Sequence, residues 1–323
     1  YMMSRHKPVK PKANIGSRIA SLFFGTVLVA GLCLLSYPTI ANWWNQLHQS
    51  KAVASYVAQT KDYSKQERKA MLAQARQYNT LLAKLALLSK TENENDRWVM
   101  TADEKLRYDS TLDVNDSGVM GYVTIPSIKV RLPIYHGTDE GILQIATGHI
   151  AGSSLPVGGP DTHAVVSGHT GLPSAKLFTG LDKLKKGDTF AFHVLDQTYT
   201  YQVDHITTVL PKDLSQLNIE SGKDYATLVT CTPYGVNTHR LLVRGHRIPN
   251  PKTADNTDYD ARIRLMSAVI VTSVALVITA IIWWLVTITR GYFMEKNGMA
   301  VGENAITDKV NGGQHRHAGK RHE

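Results

Sequence analysis

This sequence is poor in cysteine: its 323 residues hold two, Cys33 and Cys231. A disulfide framework is excluded, because Cys33 lies inside an uncharged apolar run and no third thiol exists to pair with Cys231. Aromatic residues make up only 8%, and there is no internal repeat, which removes solenoids and propellers from consideration. Long apolar runs are also few. Residues 19–37 and 265–289 carry no charged side chain, and each is long enough to cross a hydrocarbon core of about 30 Å at about 1.5 Å per residue. Two such runs argue against a freely soluble cytoplasmic protein and equally against a channel with many spans.

The formal net charge of +9 is unevenly spread. Residues 39–263 hold 24 Lys and Arg against 23 Asp and Glu, so the excess sits at the two ends. Arg5, Lys7, Lys10, Lys12 and Arg18 precede the first run, and Arg290 opens the segment after the second. Positive charge flanking apolar runs marks the cytoplasmic side. Both termini are therefore expected inside the cell and the middle of the chain outside it. The basic balance is a topology signal, and no nucleic-acid partner is expected. The first run reads as a retained anchor, since it is longer than a usual signal-peptide core and no small-x-small cleavage site precedes Trp43. Pro38 with Trp43 and Trp44, and later Trp283 and Trp284, fit helices crossing aromatic interface belts.

The expected organisation is a basic cytoplasmic N-terminus (1–18), a transmembrane helix (19–38), an extracellular helical region (39–90) and a connector (91–117). A compact β domain (118–250), a linker (251–264), a second transmembrane helix (265–289) and a cytoplasmic tail (290–323), polar and without expected structure from Glu295 to Glu323, follow. Within 44–90, Met71, Ala75, Tyr78, Leu82, Leu85 and Leu88 recur at three- and four-residue spacing, which predicts one helix packing its stripe on the following domain. The connector shows no sustained periodicity. From Val119 onward, short β-rich stretches at 119–125, 129–135, 163–167, 189–194, 198–203, 226–231 and 240–243 are separated by Gly, Pro, Asn and Asp. Seven or eight short strands with few helices between them predict a mainly β fold, a closed or nearly closed barrel.

Three places carry chemistry. An apolar strand ends at Cys231 and runs straight into Thr-Pro-Tyr-Gly. Arg240 follows nine residues on, and a hairpin centred between Gly235 and Val236 would place it opposite Cys231, with both side chains on one face. A longer or bulged loop would shift that register. His169 ends another strand, in Ser167-Gly-His169-Thr-Gly. The types fit one another: a thiolate is a nucleophile, an imidazole exchanges protons near neutral pH, and a guanidinium binds a developing oxyanion. Spacing picks out no acidic third member. Arg244 shares the face of Arg240 and is the alternative guanidinium. His163 and His239 read as structural or surface residues. His136, His149, His205 and His246 lack metal-ligand spacing, and His315, His317 and His322 read as a solvated basic end. No metal or cofactor is expected.

The segment Leu228-Val-Thr-Cys231-Thr-Pro-Tyr, with Arg240 downstream and Ser167-Gly-His169 upstream, resembles the sortases of Gram-positive bacteria, which are cysteine transpeptidases. Gly121-Tyr-Val-Thr-Ile-Pro, Leu132-Pro-Ile-Tyr-His-Gly, Ser153-Ser-Leu-Pro-Val-Gly-Gly, His169-Thr-Gly-Leu-Pro-Ser-Ala-Lys-Leu-Phe and Asn237-Thr-His-Arg-Leu-Leu-Val-Arg-Gly-His-Arg, together with the second apolar run, resemble class C, the pilin-polymerising members. The resemblance implies an eight-stranded barrel with N-terminal helices and two flanking transmembrane helices. It implies catalysis by Cys231, His169 and Arg240 on a Leu-Pro-x-Thr-Gly-like signal, with pilin subunits and an acceptor lysine as partners. A housekeeping sortase joining proteins to peptidoglycan, or a non-enzymatic pilus scaffold, are the alternatives. Class C members carry a lid with an Asp-Pro-aromatic motif. Asp96-Arg97-Trp98 is similar but lacks the Pro, and the likeness gives Asp96 an ion pair with Arg240 and Trp98 the cover over Cys231.

Overall fold

The structure, a computed structural model, describes residues 15–88, 96–252 and 259–314. The basic residues Arg5, Lys7, Lys10 and Lys12, and His315, His317 and His322, lie outside the described residues. The chain separates into two units, residues 1–263 and 264–323.

The first unit opens with α1 (Ile15–Asp62), followed by α2 (Lys65–Leu88). α1 continues through Pro38 rather than ending at the expected membrane exit. The predicted single helix over 44–90 is thus two elements, broken at Tyr63 and Ser64. A capping box explains the restart: Glu67 N donates to Ser64 Oγ at 3.2 Å and Ser64 N donates to Glu67 Oε2 at 2.7 Å. The buried stripe of α2 is Leu72, Ala75, Asn79, Leu82 and Ala83, with Met71 and Tyr78 at its margin, whereas Leu85 is exposed. Asn79 is the polar member of that stripe. Its side chain donates to Leu155 O at 3.0 Å and accepts from Leu155 N at 2.7 Å, so burial leaves neither amide group unpaired.

The connector is more ordered than its lack of periodicity predicted. Asp96–Trp98 forms a 3₁₀ turn, and α3 (Ala102–Ser110) starts from a second capping box, Thr101 with Glu104. Tyr108 is the one buried side chain of α3; its hydroxyl donates to His149 O at 3.1 Å and accepts from Gly137 N at 2.9 Å, tying the helix to the barrel.

Eight strands form a closed barrel in the order β1-β2-β3-β4-β7-β8-β6-β5. They are β1 (Val119–Ile125), β2 (Val130–His136), β3 (Thr147–His149), β4 (Thr162–Ser167), β5 (Thr189–Val194), β6 (Gln197–Val209), β7 (Asp224–Thr232) and β8 (His239–Ile248). The expected eight-stranded barrel is present. β3 was not anticipated because it is only three residues long, and a short helix, α4 (Glu140–Leu143), precedes it. Alternation along the strands fills the interior with Val123, Ile134, Val166, Phe190, Phe192, Ala226, Leu228 and Val243 in one cluster. Truncating Phe192, which is fully buried, to Ala would cost about 3 to 5 kcal/mol.

The opposite face of β4, β7 and β8 carries a second cluster, Val165, Leu217, Val229 and Leu242. Two faces of one sheet region are therefore apolar, one turned to the core and one covered from outside. Cys231 and Arg240, two residues from Val229 and Leu242 along their strands, lie on the outer face.

The second unit is helical. α5 (Tyr259–Gln314) contains an apolar stretch long enough to cross a membrane, as does α1. Leu265, Val269, Leu276 and Trp283 are exposed along it, which suits a hydrocarbon environment and no aqueous one. The tail expected to lack structure is helical as far as Gln314; no proline follows Pro251 to stop it.

Candidate active site

β7 and β8 pair antiparallel with Thr227 opposite Arg244, Val229 opposite Leu242 and Cys231 opposite Arg240. The short hairpin at Gly235, whose φ is +76°, sets this register. On the other flank, β4 runs parallel to β7 with Ser167 opposite Val229. Carried two residues beyond the end of β4, that register sets His169 opposite Cys231. Two hydrogen bonds hold the extension: Gly168 N donates to Val229 O at 3.1 Å, and Thr230 Oγ1 donates to Gly168 O at 2.7 Å. These bonds bring His169, just past the end of β4, to the end of the barrel where Cys231 and Arg240 are paired.

Cys231 is half-buried and free. Arg240 is half-buried too, and its Nη1 donates to the carbonyls of His239 at 3.1 Å and Asn237 at 3.3 Å. Among the described residues no carboxylate pairs with it. Arg244, the alternative, is committed elsewhere: its Nε lies 3.1 Å from Asp204 Oδ1, its Nη1 3.6 Å from Glu220 Oε1, and its guanidinium carbon 4.2 Å from the Tyr225 ring centroid.

His169 follows the clamped Gly168, and its carbonyl accepts from Phe178 N at 3.0 Å. Its Nε2 is buried without a hydrogen-bond partner and stands 3.9 Å from Glu140 Oε1. No spacing in the sequence signals Glu140, because the contact depends on α4 lying beside β3. The loop after His169 turns at Gly171, φ +77°, where any side chain would press on the Tyr234 ring of the β7–β8 hairpin.

His163 and His149 are structural. Burial pushes His163 down to about 4; its Nδ1 faces Asn218 O at 2.8 Å and its Nε2 faces Thr227 Oγ1 at 2.7 Å. Burial does the same to His149, also to about 4, between Tyr108 Oη at 3.0 Å and Ser154 O at 2.8 Å. His239 Nδ1 meets Thr238 Oγ1 at 2.9 Å. Among the described residues no group of His, Cys, Asp and Glu is arranged to hold a metal.

Trp98 packs on the outer cluster of Val165, Val229, Leu217 and Leu242. The guanidinium of Arg97 lies over its indole, 4.3 Å from the centroid, and Arg97 Nη2 donates to Leu217 O at 2.9 Å. Gly152 permits this seat, since a side chain there would collide with the Arg97 carbonyl. The structure thus brings Trp98 onto the face that bears Cys231, one pleat repeat along the strands. The side chain of Asp96 lies outside the described residues.

The family model for the sortase domain matches residues 123–248. Sortase C1 of Streptococcus agalactiae is 49% identical, with a TM-score of 0.57 over 62% of this chain and 100% of that one. Streptococcus pneumoniae sortase C, whose structure was described in terms of catalysis and pilin substrate specificity, is 40% identical, with a TM-score of 0.52 over 63% of this chain and 100% of that one. Among curated proteins, Sortase A of Streptococcus agalactiae is 32% identical over 128 residues, 39% of this chain. That match spans about half, 51%, of the relative's length. The chain belongs to the sortase family, whose members are cysteine transpeptidases, and its structural neighbours are class C sortases.

Proposed function

We propose that this chain is a membrane-anchored transpeptidase that joins pilin subunits. The reading is supported by the pairing of Cys231 with Arg240 across β7 and β8 and by the hydrogen bonds that hold Gly168, next to His169, against β7. The Cys231 thiolate attacks the Thr carbonyl of a Leu-Pro-x-Thr-Gly-like signal, and Arg240 stabilises the oxyanion that forms. The Thr–Gly bond breaks as His169 passes its proton to the departing Gly amine. A lysine amine of the next pilin subunit then attacks the thioester, gives its proton to His169 and displaces the thiolate, which leaves an isopeptide bond. Trp98 covers the Cys231 thiolate before a signal binds, and Asp96 pairs with Arg240 while the cover is closed.

Both apolar helices anchor the enzyme, with the basic termini in the cytoplasm and the barrel outside. The greater identity to class C structures than to Sortase A relatives supports pilin joining over attachment to peptidoglycan. In the test, purified full-length chain is offered a signal peptide with either a pilin-derived lysine peptide or a peptidoglycan stem amine. Lysine-linked product, lost in Cys231→Ala, is the expected result. Preference for the stem amine would favour the housekeeping role, and product from Cys231→Ala would reject thiol catalysis.

A further inference from the structure

His169 presents a problem that its place near Cys231 and Arg240 does not solve. Its Nε2 is buried and has no hydrogen-bond partner, although leaving a buried ring nitrogen unpaired is unfavourable. The polar atom it faces is Glu140 Oε1, at 3.9 Å. That separation is about 1 Å beyond a hydrogen bond, and catalytic contacts of this kind commonly tighten once substrate is bound.

Glu140 does not reach this place by chance of side-chain rotation. It opens α4, which is anchored at its start by Ile142 N and Leu143 N donating to Asp139 O at 2.9 Å and 3.0 Å. The loop before α4 is pressed against β3, where a side chain at Gly148 would strike the Gly137 carbonyl. β3 in turn pairs with β4, Gly148 opposite Ser167. The carboxylate itself is held by Gln144 Nε2, which donates to Glu140 Oε1 at 2.5 Å. The charged and titratable groups around His169 are Glu140 from α4 and, through strand register, Cys231 from β7 and Arg240 from β8. Tyr234 adds a phenol over the loop that follows. Glu140 is the one carboxylate in that set.

We infer that Glu140 is a positioning residue for His169, fixing the orientation of the imidazole through Nε2. The inference rests on His169 being the proton-transfer group of the proposed reaction. Glu140 touches no substrate in this role. Its carboxylate is 75% exposed, so water weakens the coupling and the effect is moderate.

The experiment uses the full-length chain in detergent and reads His169 directly, by the rate at which diethyl pyrocarbonate modifies its ring at one fixed pH, followed by mass spectrometry of the His169 peptide. In Glu140→Gln the freed imidazole is modified about threefold to tenfold faster. Glu140→Asp, which keeps the carboxylate, stays closer to wild type. In transpeptidation, Glu140→Gln lowers kcat by about threefold to tenfold with KM within about twofold. Coincident His169 modification rates in wild type and Glu140→Gln would overturn the inference. Faster modification in a chain with no transpeptidation at all would sustain the positioning and reject the proposed reaction instead.

Discussion

Cys231 and Arg240 are directly opposed across β7 and β8, and Val229 and Leu242 are the next opposed pair on the same face. The thiol–guanidinium layer therefore lies beside the apolar layer on which Trp98 is seated. Side chains alternate faces along a strand, so one register fixes both chemistry and cover. A one-residue slip would turn both layers to the other face.

Arg240 is oriented by two loop carbonyls and faces no described carboxylate, which leaves its charge available to an oxyanion. Arg240→Ala should lower kcat by about 10² to 10³. Arg240→Lys should recover little of this, since a lysine cannot present the planar fork. Steady-state transpeptidation measures it; a loss below about threefold would contradict the role.

Arg244 lies four residues along the same strand and face but is bound to Asp204 and Glu220. Arg244→Ala should reduce stability by about 1 kcal/mol and leave kcat within about twofold. Thermal unfolding read beside activity distinguishes the two arginines. An unchanged Tm with a large loss of kcat would exchange their roles.

Trp98→Ala should expose the outer cluster and speed alkylation of Cys231 severalfold, read on the Cys231 peptide to exclude Cys33. Unchanged labelling would remove Trp98 from any covering role.

His149 and His163 are buried neutral, with burial holding each near 4, well below the ordinary 6.5. The unfolded chain takes up protons at these sites below about pH 6.5 while the fold does not, so stability is full above that pH and falls between about 6.5 and 4. Each site accounts for about 2 kcal/mol lost at pH 5. Denaturant midpoints should drop across this window, and His163→Gln should flatten the drop. A midpoint constant from pH 7 to 5 would contradict the burial of both rings.

The sequence made some of this legible and concealed the rest for physical reasons. The Cys231–Arg240 register could be read because a Gly235 turn of fixed length leaves one pairing. The barrel could be anticipated from strand alternation, but β3 has three residues and no periodicity to detect. α3 went unread because its signal is the Thr101 and Glu104 capping box, which hydrophobic spacing does not register when Tyr108 is the one buried residue. Ser64 and Glu67 likewise mark the break between α1 and α2. Glu140 was hidden most completely, since its approach to His169 depends on β3 and β4 pairing between segments that carry no charge pattern.

The most direct test of the account is mass spectrometry of the full-length chain after brief exposure to a Leu-Pro-x-Thr-Gly peptide without acceptor. The account predicts a thioester-linked acyl group on the Cys231 peptide, ending at the Thr of the signal, that disappears when a lysine peptide is added. An acyl group on another residue, or lysine-linked product formed by Cys231→Ala, would contradict it.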